Sequence, residues 1–452
     1  MDSFGFLKLA AAVPHVRVGD CDFNAERMAA MADEAAQRGV EIVAFPELAL
    51  TAYTCGDLLL QPALLDAADE ALARLVRDTR KLPLTMIAGA PLRHGQTLYN
   101  CAVVFTQGRI LGVVPKTYIP DYTEFYENRW FASGAGISDE QIAVAGQQAD
   151  FGADLTFEVN GTEFGVELCE DLWAAIPPSS QLALNGAKVI FNLSASPEAV
   201  GKHAYLRQLV AQQSARTIAG YVYCSAGFGE SSTDLVFAGN ALIAENGVIL
   251  REGERFSLDE QLITADVDLE RLAFERRRNT SFRLNESDTE NTVIEMEIPE
   301  GMRPDRIDRD IDPMPFVPHE EGRRNERCEE IFQIQSHGLA RRLDHTGCKC
   351  AVVGISGGLV LTSEAPARKS AVRLWFLQLG CNFLWSILFF VCRSPLLGMA
   401  DIVVLDVLVI LYLVRSANVR AAAAWLFVPY LCWILFATYL NAYILVANGT
   451  GL

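Results

Sequence analysis

At 452 residues the chain is long enough for two or three domains, and its formal charge of −18 excludes a nucleic-acid-binding protein that works through a basic face. A hydrophobic content of 51% and a positive mean hydropathy of +0.18 sit oddly beside that charge and exclude one uniform globule. Residues 370–452 hold only Arg373, Arg393, Asp401, Asp406, Arg415 and Arg420 as charged groups, a net of +2, so the first 369 residues carry −20.

The start of the chain has no cationic stretch leading into an apolar core, so no signal peptide is read, and Phe4–Val13 reads as a first strand. Short apolar runs then alternate with amphipathic stretches as far as about Phe282, the rhythm of a layered α/β domain. Strands are expected at Val40–Phe45, Leu84–Ala90, Leu98–Thr106, Ile110–Val114, Phe164–Leu168, Val189–Leu193 and Tyr221–Ser225. Helices are expected at Asn24–Arg38, Leu64–Arg80, Lys202–Ala219 and Leu269–Arg278. Arg283 to about Pro318, rich in charge and proline, reads as a linker or extended arm, followed by a helix over His319–Leu343. Cys350–Ile355 reads as a short strand running into Ser356, Gly357 and Gly358.

Ala371–Cys392, Leu396–Val414 and Ala421–Ala447 are apolar stretches of 22, 19 and 27 residues, near the roughly 20 that cross a bilayer as helix. Arg368, Lys369 and Arg373 precede the first span and Arg415 and Arg420 separate the last two, with Arg393 alone on the other side, so the positive-inside rule puts the acidic body in the cytoplasm and the tail in the membrane. The 11 cysteines form no CxxC pair and no zinc-type spacing with histidine. No disulfide framework and no structural metal is therefore expected, and the CxC at Cys348 and Cys350 reads as incidental.

Three polar residues stand where an apolar strand ends: Glu47 in FPEL, Lys116 in PKTY and Cys169 in LCEDLW. Strand ends are where α/β folds bind ligands, so neighbouring strands would bring a carboxylate, an ammonium and a thiol together although 69 and 53 residues separate them. A free thiol with pKa about 8.5 is mostly protonated at neutral pH. It needs a base to take its proton and a cation to favour the anion, and an ammonium can also stabilise the oxyanion formed when a thiolate attacks an amide.

This set resembles the nitrilase-like amidohydrolases, whose triad is Glu, Lys and Cys in that order. FPELALTAYTCGDLLLQ from Phe45, PKTYIPDYTEFYENRWF from Pro115, LCEDLW from Leu168 and NLSASP from Asn192 resemble, more narrowly, the glutaminase domain of the glutamine-dependent NAD synthetase family over about residues 4–359. The resemblance implies a four-layer α-β-β-α sandwich over residues 1–282, with Cys169 as nucleophile, Glu47 as general base and Lys116 as oxyanion partner. It matches Tyr53, Tyr122, Phe125 and Glu127 to glutamine-pocket and triad-supporting positions, and Ser196 and Lys202 to positions near the substrate's amino and carboxylate ends. Core packing for Tyr53, Tyr122 and Phe125 and a turn role for Ser196 remain open. The implied chemistry is hydrolysis of the L-glutamine side-chain amide through a Cys thioester, without metal or organic cofactor, in a domain that commonly self-associates into homo-oligomers. In that family the ammonia amidates deamido-NAD in a second domain that uses ATP and Mg.

That second domain opens with an SGGxDS phosphate loop. Here Ser356, Gly357 and Gly358 are followed by Leu359, Val360 and Leu361, a degenerate nucleotide loop. Residues 283–345 then read as linker arm and helix, 346–369 as a truncated start of the synthetase domain plus a joint, and 370–452 as three transmembrane helices; the ATP-dependent half is expected to be missing. LQLGCNFLWSILFF from Leu377, SPLLGMADIVVL from Ser394 and VPYLCWILFATYLNA from Val428 resemble the last three helices of the tryptophan-rich sensory protein or translocator protein family. That resemblance places Asn382, Trp385, Trp433, Ala437 and Asn441 in a porphyrin- or sterol-type pocket, against the alternative of interfacial anchoring or packing. Two further readings stay open: a membrane sensory or transport fragment with an acquired cytoplasmic domain, and an accidental gene fusion near residues 360–369.

Overall fold

The structure is a computed structural model that describes residues 5–231, 235–285, 290–296, 307–309, 311, 321–346, 352–392 and 394–448. The readings at Phe4, Cys348, Cys350 and Arg393, and most of the expected linker over 283–318, lie outside the described residues. The chain divides into two compact units, Met1–Arg309 and Asp310–Leu452.

Among the described residues of the first unit fifteen strands follow in order: β1 Phe6–Val13, β2 Ile42–Ala44, β3 Thr85–His94, β4 Thr97–Thr106, β5 Arg109–Pro115, β6 Glu140–Val144, β7 Gln147–Phe151, β8 Leu155–Val159, β9 Thr162–Leu168, β10 Val189–Ser194, β11 Gly220–Ser225, β12 Ala241–Glu245, β13 Val248–Glu252, β14 Gln261–Asp268 and β15 Thr292–Met296. They form an eight-stranded sheet ordered β14-β1-β2-β3-β4-β5-β7-β6 and a seven-stranded sheet ordered β13-β12-β11-β10-β9-β8-β15. The helices are α1 Cys21–Gln37, α2 Pro62–Asp78, α3 Pro178–Leu184, α4 Lys202–Thr217, α5 Leu269–Arg278 and α6 Thr280–Leu284.

Alternation along the strands sets the layers. In β1, Leu7, Leu9, Ala11 and Val13 join Phe157, Phe164, Phe191 and Val222 of the other sheet in one core, while Ala10 and Ala12 pack with Met28 of α1 and Leu72 of α2 in another. Leu206 and Val210 of α4 cover Ile190, Tyr221 and Tyr223 on the outer face of the second sheet. The result is the expected α-β-β-α sandwich. Between the sheets, the Phe164 ring stacks on Phe157 with centroids 5.4 Å apart and meets Phe191 edge-on at 5.5 Å.

All eight expected strands and all four expected helices of this unit are present among the described residues, within a few residues of their expected ends. Thr292–Met296, inside the expected arm, pairs in parallel with β8 as the edge of the second sheet. Beyond it, Arg309 holds the buried Glu245 carboxylate and Lys8 pairs with Asp308.

The second unit is helical: α7 Glu321–Thr346, α8 Val352–Leu361, α9 Arg368–Ser386, α10 Pro395–Ala417, α11 Ala421–Trp425 and α12 Val428–Asn448. Among the described residues three spans are long and apolar enough to cross a membrane, Arg368–Phe389, Pro395–Ala417 and Ala421–Val446. The strand expected at Cys350–Ile355 is overturned, because the described residues from Val352 onward are helical. Ser356 is 0% exposed, bonds to the Tyr412 hydroxyl at 2.8 Å and donates to the Ala423 carbonyl at 2.8 Å. Ser356, Gly357 and Gly358 therefore form no phosphate loop. The apolar neighbours that read as a strand are those of a helix packed on α9 and α11, which periodicity cannot distinguish over so short a run.

Candidate active site

β2, β5, β9 and β10 end at the same edge of the sandwich, and each delivers one element of a buried polar cluster. Glu47 follows β2 in a turn where Leu48 takes φ +50° and Ala52 φ +67°, positions that non-glycine residues occupy only when their surroundings hold them. Close approach supplies that hold. A Cβ on Gly89 of β3 would lie 2.3 Å from the Leu48 nitrogen and 2.4 Å from the Pro46 oxygen, so only glycine lets the turn settle on the sheet. The Glu47 N–H donates to the Ser194 carbonyl at 3.3 Å, which ties the turn to the end of β10 in the other sheet.

The Glu47, Lys116 and Glu127 side chains are at most 1% exposed. Lys116 Nζ donates to Glu47 Oε1 at 2.7 Å and to both oxygens of Glu127 at 2.8 Å. Tyr53 donates its hydroxyl to Glu127 Oε1 at 2.9 Å, and Asn100 Nδ2 donates to Glu47 Oε1 at 2.6 Å. These bonds use up Oε1 of Glu47 and leave Oε2 buried without a hydrogen-bond partner, an acceptor free to take a proton. Burial alone would lower the Lys116 pKa, but the carboxylates of Glu127 and Glu47 outweigh it and hold the ammonium charged well above its usual range.

Cys169 follows β9 at φ +41° and is 4% exposed. Its thiol feels Glu47, Lys116 and Glu127, and the Ala195 backbone N–H faces it. Burial pushes its pKa far up, and the negative charge of Glu47 adds to that; Lys116 pulls the other way and is outweighed. Burial and the Glu47 charge thus favour the thiol over the thiolate, against the pull of the neighbouring ammonium. The unpartnered Oε2 of Glu47 is the acceptor that this cluster offers to a proton leaving the thiol.

The other expected site residues divide into two groups. Tyr53 and Glu127 belong to the buried cluster just described. At its mouth, Tyr122 donates to Glu170 at 2.9 Å and meets the Phe125 ring at 5.8 Å. Lys202 Nζ lies 5.9 Å from the Phe125 ring and 5.6 Å from the Trp173 ring, and donates to the Pro197 carbonyl at 2.7 Å. Ser196, 5% exposed, donates its backbone N–H to Ser225 Oγ at 3.2 Å and stands beside Ala195. Three residues escaped the sequence reading: Asn100, which orients Glu47; Glu230, which accepts from the Tyr53 and Thr54 N–H groups at 2.8 and 3.0 Å; and Asp171. A polar residue inside the apolar run Leu98–Thr106 was the available signal for Asn100.

The membrane-tail set behaves differently. Asn382 donates to the Tyr430 hydroxyl, and Asn441 is 2% exposed, whereas Trp433 turns outward at 67% exposed. Asp406, 8% exposed, accepts from the Thr438 hydroxyl at 2.8 Å, which offsets part of the cost of an acid at mid-span.

Comparison with known proteins agrees with both halves. Residues 8–277 match the carbon-nitrogen hydrolase family, and residues 349–447 match the TspO/MBR family. A glutamine-dependent NAD(+) synthetase of Mycobacterium bovis is 41% identical over 371 residues, covering 78% of this chain and 53% of that protein. The chain thus spans about half the length of the curated relatives it matches. A crystal structure of a glutamine-dependent NAD(+) synthetase from Cytophaga hutchinsonii superposes with a TM-score of 0.53 at 27% identity, covering 58% of this chain and 43% of that one. A carbon-nitrogen hydrolase from Helicobacter pylori shares the fold at a TM-score of 0.51 and 18% identity, over 61% of this chain and 94% of that one.

Proposed function

Since the chain belongs to the carbon-nitrogen hydrolase family, we propose that its first unit hydrolyses the side-chain amide of L-glutamine to glutamate and ammonia. The observation that carries this reading is the free Oε2 of a Glu47 whose other oxygen is held by Lys116 and Asn100 beside the Cys169 thiol. Glu47 takes the thiol proton as Cys169 Sγ attacks the amide carbon, and the Lys116 ammonium, which cannot easily lose its charge, stabilises the oxyanion. Collapse expels ammonia with the proton that Glu47 returns, leaving a γ-glutamyl thioester. Water, deprotonated by Glu47, opens the thioester and restores the thiol. No step calls on a metal or organic cofactor.

Tyr122, Phe125, Glu170, Ser196 and Lys202 around the mouth suit the amino and carboxylate ends of an amino acid, with Lys202 for the carboxylate and Glu170 for the ammonium. The relatives named as glutamine-dependent NAD(+) synthetases support glutamine as the substrate. Where their similarity gives out, residues 349–447 match a different family, so the reading assigns amide hydrolysis and not NAD synthesis to this chain. We place the first unit in the cytoplasm, with α9, α10 and α12 in the membrane, and expect the sandwich to self-associate.

The test is to incubate the full chain with glutamine, and separately with glutamine, deamido-NAD, ATP and Mg. Ammonia and glutamate in equal amounts from both, with no NAD from the second, are expected. Absence of ammonia overturns the hydrolase reading, and appearance of NAD overturns the restriction to hydrolysis.

A further inference from the structure

Asp171 stands two residues after Cys169 on the same short turn, is 1% exposed, and accepts backbone hydrogen bonds from two distant parts of the chain. Oδ2 accepts from the Leu168 N–H at 2.9 Å. Oδ1 accepts from the Tyr118 N–H at 2.8 Å and the Thr117 N–H at 3.1 Å. Leu168 immediately precedes Cys169, and Thr117 and Tyr118 immediately follow Lys116. We propose that Asp171 is a positioning residue that clamps the Lys116 loop to the Cys169 turn, fixing the distance between ammonium and sulfur; this rests on the hydrolase reading given above.

A bland role accounts for only part of this. An acidic side chain that accepts from the backbone N–H at the start of its own turn is an ordinary cap, and the Leu168 bond is of that kind. The bonds to Thr117 and Tyr118 are not, because they cross 54 and 53 residues of sequence. Asparagine or serine could cap the turn without placing a charge in the interior, where an ion costs several kcal/mol after relaxation. A carboxylate is the side chain that can accept from three N–H groups at once without presenting a donor to any of them.

The loop also needs holding. Thr117 and Tyr118 border a cleft of about 570 Å³, shared with Ile137, Asp154, Ile176 and Gln181, so packing does not close that flank. Tyr118 is 42% exposed. The Lys116 main chain itself is fixed by its N–H on the Asn100 carbonyl and by the Gly134 N–H on its own carbonyl, both at 2.8 Å. Those bonds attach Lys116 to β4 of its own sheet and to the loop at Gly134 that leads to β6. Asp171 attaches it to the other sheet, the one that carries the nucleophile. Cys169 at φ +41° is the kind of strained residue that persists only where neighbours over-determine it. Burial pushes the Asp171 carboxyl up to about 7, with Glu167 adding to it, while the Leu168 and Tyr118 N–H groups and the Lys116 charge pull it back.

The test is a double-mutant cycle on the full chain with Asp171→Asn, Lys116→Ala and both together. Asparagine turns one acceptor into a donor aimed at an N–H. A misplacement of the order of 1 Å costs about 100-fold, so Asp171→Asn is expected to lower kcat for glutamine by about that factor, with KM within about threefold of the parent. In the Lys116→Ala background the same change is expected to cost under about threefold, because the group it positions is gone. A kcat within threefold of the parent, or a full 100-fold loss that persists without Lys116, overturns the proposal. If near-UV circular dichroism shows that Asp171→Asn does not fold, Asp171→Glu takes its place, with parent-like kcat as the overturning result. If the parent releases no ammonia at all, the hydrolase reading fails on its own. The clamp is then read from iodoacetamide labelling of Cys169 by peptide mass mapping, with slower labelling in Asp171→Asn expected and an unchanged rate contradicting it.

Discussion

A Cys169→Ala chain is expected to release ammonia from glutamine at least about 10⁴-fold more slowly than the parent, the scale seen when a nucleophile is removed from a covalent-catalysis triad. Alanine removes one sulfur atom from a position 4% exposed and adds no volume, so the fold and the pocket should survive. Equilibrium binding of glutamine should change little, because the sulfur forms its bond only on the path to the intermediate. A variant that binds glutamine and retains more than about one hundredth of the parent rate would remove Cys169 from the chemistry.

Glu47→Gln is expected to cost about 10²- to 10⁴-fold in kcat, the range for a general base. Glutamine at this position can keep an oxygen for Asn100 Nδ2 and Lys116 Nζ, so the cluster geometry is largely retained. What disappears is the free acceptor at Oε2. The direction of the pH effect follows from the thiol. Burial, the larger of the two causes that raise the Cys169 thiol, remains in the variant although the Glu47 charge is gone, so the thiol stays favoured near neutral pH and the variant has no base to take its proton. Its residual rate should therefore climb steadily between about pH 7 and 9, as solution takes over the deprotonation. A loss below about tenfold, or a residual rate flat in pH, would show that another group takes the proton.

The core of the site was legible because its residues interrupt strong patterns. Glu47, Lys116 and Cys169 each close an apolar strand; singly such residues are ordinary loop charges or buried cysteines, and it is their combination that marks a site. The groups that orient them were harder to see. Asn100 is one polar residue within a buried strand, and Asp171 reads as an ordinary turn acid. Its distant partners are backbone N–H groups, which leave no trace in side-chain composition. Glu230 is invisible for the same reason, since its N–H partners Tyr53 and Thr54 lie more than 170 residues away.

The fold follows the same division. Helix α5 was expected at Leu269–Arg278 and is found there, because an acidic N-cap, Asp268, and a run of arginines at the far end mark both termini. The hairpin of β6 and β7 and the edge strand β15 went unread because they are five residues long and partly exposed, so tertiary pairing rather than local apolarity defines them. Around residue 355 the local pattern pointed the wrong way. VVGISGG is apolar and glycine-rich enough for a strand leading into a phosphate loop, but Ser356 buries its hydroxyl between Tyr412 and Ala423 in a helical bundle. The partners that decide the matter lie 56 and 67 residues downstream.

The central claim, that Cys169 carries the acyl group between two half-reactions, is tested most directly by acid-quenching the full chain during turnover of glutamine and mapping its peptides by mass. A γ-glutamyl adduct on the peptide containing Cys169, absent from the Cys169→Ala chain, is the predicted result. Ammonia released at the parent rate with no adduct on that peptide, or with the adduct on another cysteine, would contradict it.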